Sequence, residues 1–374
     1  MITRRLLLLL TIFLLTACEV VDVQFVDLTP TLGANVPTVD TANPPPTTAS
    51  GQTSDSSWYR LYFTNPPDQD DKDNRPEDSI DDPVVNSLNQ AQRTVDATTY
   101  DFNLPSMAEA FIAAHKRGVV VRIVTDTDSK EEEVVKEIQK AGIKVVFDER
   151  SAIMHDKFVI VDGLVVWTGS WNFSNNDTYR NNNNLIGIAS PEMVANYEAE
   201  FNEMFERNEF GPTSTANTPY PQFTVNGTLI ENYFAPEDEV TPKIVAALQT
   251  STESIYFCAF TFTSDYISNT IVEQAAKGVK VEGVDESRQV NAGADDNYRI
   301  LTQANLPVLL DGNRYTMHHK FIVIDHQIVV TGSFNFTKAA NEQNDENVLI
   351  IHNAQIAEQY YQEFLKVWAK AGGQ

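Results

Sequence analysis

The chain has 374 residues, enough for one large core or two ordinary ones, and two domains is the expectation. Its formal charge of −25 repels polyanions at long range, which disfavours non-specific nucleic-acid binding while leaving room for a local basic cleft. Two cysteines, Cys18 and Cys258, leave little scope for a disulfide framework.

Residues 1–17 read as an export signal, with Arg4 and Arg5 at the start and a short apolar run from Leu6 to Leu15. That run is too brief for a bilayer span, which takes roughly 20 apolar residues. It ends in Leu15-Thr16-Ala17-Cys18, which resembles the lipobox of bacterial lipoproteins. The resemblance implies cleavage before Cys18 and a lipid on its thiol, anchoring the protein to the outer face of the cell membrane or the periplasmic side of an envelope membrane. An ordinary secretory signal with an incidental cysteine is the alternative. Loss of Arg4 and Arg5 would take the charge from −25 to −27. Cys258, in the apolar run "SIYFCAF", then has no partner and is assigned to packing.

Residues 18–57 are rich in Thr, Pro, Ala and Ser and form a tether, on the order of 90 Å long if polyproline-like. From Trp58 onward the chain repeats itself. "LYFTNPPD" from Leu61 is echoed by "NYFAPEDE" from Asn232, and "VVNSLNQAQRTVDATTYDF" from Val84 by "IVAALQTSTESIYFCAFTF" from Ile244. "AAHKRGVVVRIV" from Ala113 answers "QAAKGVKVEGV" from Gln274. Each copy alternates strand and helix as an α/β layer does. The first runs over 58–207 and the second over 223–374, with a Pro-, Gly- and Thr-bearing connector at 208–222. An acidic insertion, "PDQDDKDNRPEDSIDD" from Pro67, lacks the glycine and terminal glutamate of a calcium loop and reads as solvated.

The closest internal match is "MHDKFVIVDGLVVWTGSWNF" at 154–173 against "MHHKFIVIDHQIVVTGSFNF" at 317–336. Asp162-Gly163 between two β-branched runs signals a two-residue hairpin turn, which places Val161 opposite Leu164, Lys157 opposite Thr168 and His155 opposite Ser170. In that register His155, Lys157, Ser170 and Asn172 share one face. The second copy repeats the set about Asp325-His326 with His318, Lys320, Ser333 and Asn335, each 163 residues on. Trp171 and Phe334 then point to the opposite face, as core.

Written as H-x-K-x4-D-x6-G-S-x-N, the two sets His155-Lys157-Asp162-Gly169-Ser170-Asn172 and His318-Lys320-Asp325-Gly332-Ser333-Asn335 resemble the signature of the phospholipase D superfamily. The resemblance covers the chain from Trp58 onward. It implies an α/β fold in which two α-β-α sandwich repeats, related by a pseudo-two-fold axis, share one active-site cleft.

It also implies phosphodiester chemistry. Two lysines and two asparagines offset the charge of one phosphate and hold its five-coordinate transition state. One imidazole attacks phosphorus and the other protonates the departing oxygen, so the intermediate is a phosphohistidine. The scheme needs no cofactor and no metal, and the six histidines show no zinc-type spacing. Asp162 and Asp325 fall at the turns and read as structural anchors. In this family a polar residue downstream of the serine-asparagine pair orients a histidine, and the 163-residue offset aligns Asn183 with Glu346. A carboxylate beside His318 would raise its pKa, whereas Asn183 would leave His155 uncharged, so His155 is assigned as nucleophile and His318 as acid. Because carboxylates also support nucleophilic histidines, the reverse stays open.

Phospholipid at a membrane surface is the expected substrate, hydrolysed at its head group by a chain that acts as a monomer because it carries both motifs. An exported endonuclease on DNA or RNA is the alternative, with Arg150, Arg180, Arg314 and Lys338 as a basic rim. A phosphatidyl transferase of the cardiolipin synthase kind shares the intermediate. A binding protein on a dead scaffold conflicts with histidines intact in both copies.

Overall fold

Runs such as "FVIV" and "IVVTG", buried on both sides, require helices on each face of the sheet that holds them. The computed structural model describes residues 58–67, 78–293 and 297–374. The signal, Cys18, the tether and most of the acidic insertion lie outside the described residues. Among those described, no helix is long and apolar enough to cross a membrane.

The first half holds β1 (Tyr59–Phe63), β2 (Thr94–Thr99), β3 (Val120–Asp126), β4 (Lys144–Asp148), β5 (Phe158–Val161), β6 (Val165–Gly169) and β7 (Asn184–Ile188). The second holds β8 (Gln222–Val225), β9 (Thr228–Ala235), β10 (Ser254–Ala259), β11 (Lys280–Asp285), β12 (Val308–Leu310), β13 (Lys320–Ile324), β14 (Ile328–Gly332) and β15 (Glu346–His352). Sheet orders are β1-β7-β6-β5-β2-β3-β4 and β12-β11-β10-β13-β14-β15-β9-β8. Helical crossovers make β2, β3 and β4 parallel, and β10, β11 and β12 likewise, whereas the short turns after β5 and β13 make the motif strands antiparallel.

Outer helices cover one face of each sheet and form two separate cores. The other faces share a third core with two helices, Pro191–Asn202 and Ala354–Lys370. Ser190 and Asn353 start these helices by accepting N–H groups of the first turn, and Pro191 needs no partner there. Val194, Tyr197 and Phe201 on one, and Ile356, Tyr360, Phe364 and Val367 on the other, recur at helical spacing and are buried in the shared core. Each such side chain stabilises the packed state by roughly 1.5–3 kcal/mol. Cys258 is fully buried in this core, as its apolar neighbours predict.

The halves are joined by two bridges related by the pseudo-two-fold axis, Met154 with Asp345 and Asn182 with Met317. Thr168 Oγ1 donates to Asn347 Oδ1 at 3.0 Å, and Thr331 Oγ1 to Asn184 Oδ1 at 3.1 Å. Symmetry fails one residue past each motif histidine. Asp156 accepts Asn347 Nδ2 at 3.0 Å and lies near the carboxyls of Glu200 and Glu237, whereas its counterpart His319 meets Glu363 at 3.3 Å.

Candidate active site

Both motif turns carry positive φ at their two central residues, +56° and +64° at Asp162 and Gly163, +52° and +54° at Asp325 and His326. The strand register nevertheless differs from the expected one by a residue. Val161 pairs with Val165 and Phe158 with Thr168, as Ile324 pairs with Ile328 and Ile322 with Val330. Leu164 and Gln327 each close the turn through a backbone hydrogen bond and stay outside the ladder, so three residues rather than two separate the partners.

That slip corrects the shared-face reading. His155 and Lys157 precede the first paired residue of β5, and Ser170 and Asn172 follow the last residue of β6, so the polar set lies beyond the open end of the hairpin. Trp171 and Phe334 are core, as expected.

His155, Asn172, His318 and Asn335 line a single cleft of about 510 Å³ between the halves. Tyr100 and Phe260 occupy equivalent places after β2 and β10 and flank the imidazoles, with ring centroids 5.4 Å from His155 and 4.6 Å from His318. Lys157 and Lys320, each 1 % exposed, lie over the rings of Tyr100 and Phe260 and donate to the carbonyls of His155 and His318 at 2.7 and 2.8 Å. Burial lowers Lys157 to about 8, and burial followed by the charge of Lys157 carries Lys320 well below its ordinary value.

The orienting residues are exchanged relative to expectation, which removes the ground on which His155 was assigned as nucleophile; what favours that assignment now is the other role of a carboxylate, support of a nucleophilic histidine. Glu346 stands against His155, not His318, with Oε2 2.7 Å from Nδ1. Asn183 stands against His318, not His155, with Oδ1 2.9 Å from Nδ1. The seam bridges cause the exchange: His155 N donates to Asp345 O and His318 N to Asn182 O, so each histidine lies beside the strand of the opposite half.

The motif serines fix this arrangement. Ser333 Oγ accepts Asn347 N–H at 2.9 Å and donates to Glu346 Oε2 at 2.7 Å, while Ser170 Oγ accepts Asn184 N–H at 3.1 Å and donates to Asn183 Oδ1 at 2.8 Å. Both oxygens facing the rings are therefore acceptors, each imidazole carries its proton on Nδ1, and Nε2 is left for the cleft. Gly169 and Gly332 permit the approach, since a Cβ on either would lie 2.3 or 2.2 Å from the carbonyl oxygen of Asn184 or Asn347.

Burial, followed by Lys157, Lys320 and His318, drives His155 well below its usual value. Burial also pushes Glu346 well up, against the pull of Lys157 and the Ser333 hydroxyl. His318 is pushed down to about 3, first by burial, with Asp177 pulling the other way.

Asp162 and Asp325 lie away from the cleft and act as the anchors expected at the turns. Asp162 accepts the N–H groups of Gln92, Arg93 and Thr94, and Asp325 those of Thr252, Glu253 and Ser254. The proposed basic rim is absent from the cleft lining. Arg150 is held by Asp148 and Asp345 across the seam, and Lys338 pairs with Glu342. Asp101, Asp128 and Asp177 line the cleft instead. The sequence reading did not single these out, although Asp177 could have been found by the repeat offset, which sets it against Ala340.

The domain family described as "Cardiolipin synthase, PLD-like domain" matches residues 84–205 and 244–368. A mitochondrial cardiolipin hydrolase of Chlamydomonas reinhardtii is 27 % identical over 210 residues, 49 % of this chain and 92 % of that protein. A phospholipase D of Rickettsia typhi is 31 % identical over 164 residues, 44 % of this chain and 80 % of that protein. The crystal structure of a phosphatidylserine synthase of Haemophilus influenzae aligns with a TM-score of 0.60 at 14 % identity, over 76 % of this chain and 83 % of that one, a likeness of fold.

Proposed function

Because the chain belongs to the phospholipase D superfamily and is therefore a phosphodiesterase, we propose that it hydrolyses phospholipid head groups through a phosphohistidine formed on His155. The observation that carries this reading is the meeting of His155 and His318 in one cleft, each ring held through Nδ1 by the other half.

In the first step Nε2 of His155 attacks phosphorus and the bond to the head-group oxygen breaks. The Nε2 proton of His318 passes to that oxygen, and the head group leaves as an alcohol. The diester's own negative charge, bound between the rings, helps His318 carry that proton. In the second step water gives a proton to the now neutral His318 and attacks phosphorus, the P–N bond breaks, and phosphatidic acid leaves. Lys157, and Lys320 once the diester's negative charge favours its protonated form, supply positive charge to offset that of the phosphate.

The lining favours a lipid over a nucleic acid. A polynucleotide brings further phosphates to each side of the scissile one, and Asp101, Asp128 and Asp177 would repel them. The names of the cardiolipin hydrolase and phospholipase D relatives agree with lipid. The lipobox-like run ending at Cys18 supports a lipid anchor that would hold the domain near its substrate, outside the cytoplasm.

Incubation of the purified domain with phosphatidylcholine, cardiolipin and single-stranded DNA, each with chelator, tests the proposal. Release of choline or phosphatidic acid is the expected outcome. DNA fragments without lipid products would replace it with the nuclease reading.

A further inference from the structure

The near-identity of the two motif regions makes a charge present on one side only informative. Asp177 is such a charge, with Ala340 at the matching position. It belongs to the short helix Asn175–Tyr179, begun by Ser174, whose side chain accepts Asp177 N–H. Its side chain is buried, and its carboxylate is heavily engaged. Oδ2 accepts the backbone N–H of Asn172 at 3.0 Å and its Nδ2 at 2.7 Å, and Oδ1 accepts Asn181 Nδ2 at 2.6 Å. Oδ2 also lies 3.4 Å from Nδ1 of His318.

On the other side of the cleft, Glu346 supplies His155 with both a hydrogen-bond acceptor and a carboxyl group. Around His318 these two are divided. Asn183 offers the near acceptor, held in place by its Nδ2 bond of 3.1 Å to the Asp177 carbonyl, but it has no charge to give. Lys320, Lys157 and His319 also bear on the His318 ring, with His155 across the cleft, while Asp101 and Asp128 line the same cleft.

Building on the assignment of His318 as the acid, the geometry points to Asp177 as its charge partner, a positioning residue that restores from a neighbouring helix the negative charge missing at Asn183. In that role, together with the bound diester, it favours the imidazolium of His318 whose Nε2 proton goes to the leaving oxygen. Ionisation of Asp177 fits this place: burial works to raise its pKa, but His318 and the amides of Asn181 and Asn172 hold it below the ordinary range.

The test compares two diesters, phosphatidylcholine, whose alkoxide needs a proton to leave, and bis(p-nitrophenyl) phosphate, whose phenolate departs without one. Asp177→Asn keeps an acceptor for the Asn172 N–H groups and removes the charge. It should lower the ratio of kcat/KM for the lipid to that for the aryl diester about tenfold or more, within the range contributed by a general acid. With Asp177 gone His318 loses its proton at lower pH, so the basic limb of kcat on lipid should move down. Asn183→Asp in the same chain should restore most of the ratio. An unchanged ratio, an equal fall on both substrates or a fixed basic limb overturns the assignment. Trapped phosphoenzyme separates this from its premise: label on His318 overturns the acid assignment itself, whereas label on His155 with an unchanged ratio removes Asp177 alone from the mechanism.

Discussion

A neutral imidazole attacks only through an unprotonated nitrogen, so the group that holds Nδ1–H decides whether Nε2 is available. For His155 that group is Glu346, and Glu346→Gln offers an amide in its place. The Ser333 hydroxyl holds the amide oxygen toward the ring, as Ser170 holds that of Asn183, so the variant keeps the tautomer but loses the carboxyl that supports the charge developing on His155 as it attacks. We expect kcat to fall by roughly two to four orders of magnitude with little change in KM, measured by steady-state kinetics on phosphatidylcholine. Lys157 sets a second limit, since burial lowers it to about 8. Above that pH the positive charge beneath the cleft is lost, and KM should rise. Lys157→Arg should move that rise to higher pH, read from KM measured between pH 6 and 10, because a guanidinium keeps its proton throughout. The residue types of this site were legible in the sequence, because two copies of His, Lys, Ser and Asn at one offset leave little else to infer. Their partners were not. Glu346 and His155 are 191 positions apart and meet through a bridge between halves, which the periodicity of neither copy encodes.

At the scale of the hairpin, Asp325 gathers three backbone N–H groups at the start of β10 and ties the turn to its neighbouring strand. Despite partial burial, these bonds hold its carboxyl below the ordinary range. Stability from this group is therefore present above the unfolded-state pKa and is lost as pH falls through the folded-state value. Asp325→Asn should cost about 1–3 kcal/mol in urea unfolding at neutral pH, and the deficit should shrink under acid conditions where the wild-type carboxyl is also neutral. The turn itself was readable from Asp162-Gly163, and positive φ at both centres follows. Its register was not, because a residue left outside the ladder has no signature in an alternating run of valines and isoleucines. Gly332→Ala should be more damaging than an ordinary glycine change, lowering Tm by several degrees through the clash with the Asn347 carbonyl.

For the whole molecule, the halves meet through a shared core and a line of polar contacts in which acids cluster on one side. Burial raises Asp156 to about 7 and Glu237 to about 8, and it carries Glu200 well above its usual value. A carboxyl raised on folding favours the native state below its unfolded pKa, and that advantage fades as pH climbs to the folded value. Thermal stability should decline between pH 5 and 8. Asp156→Asn, which retains an acceptor for Asn347, should flatten the decline in a Tm series across that range. The doubling of the chain was plain from its repeats, but not this imbalance, which depends on which residues of one copy lie near those of the other.

The crossed pairing of each ring with the opposite half has one more consequence. A nascent or half-folded chain presents two unremarkable imidazoles, each without the neighbour that sets its tautomer. Both tautomers are fixed only when the halves dock, so the phosphodiester chemistry is disarmed by construction until the protein is whole.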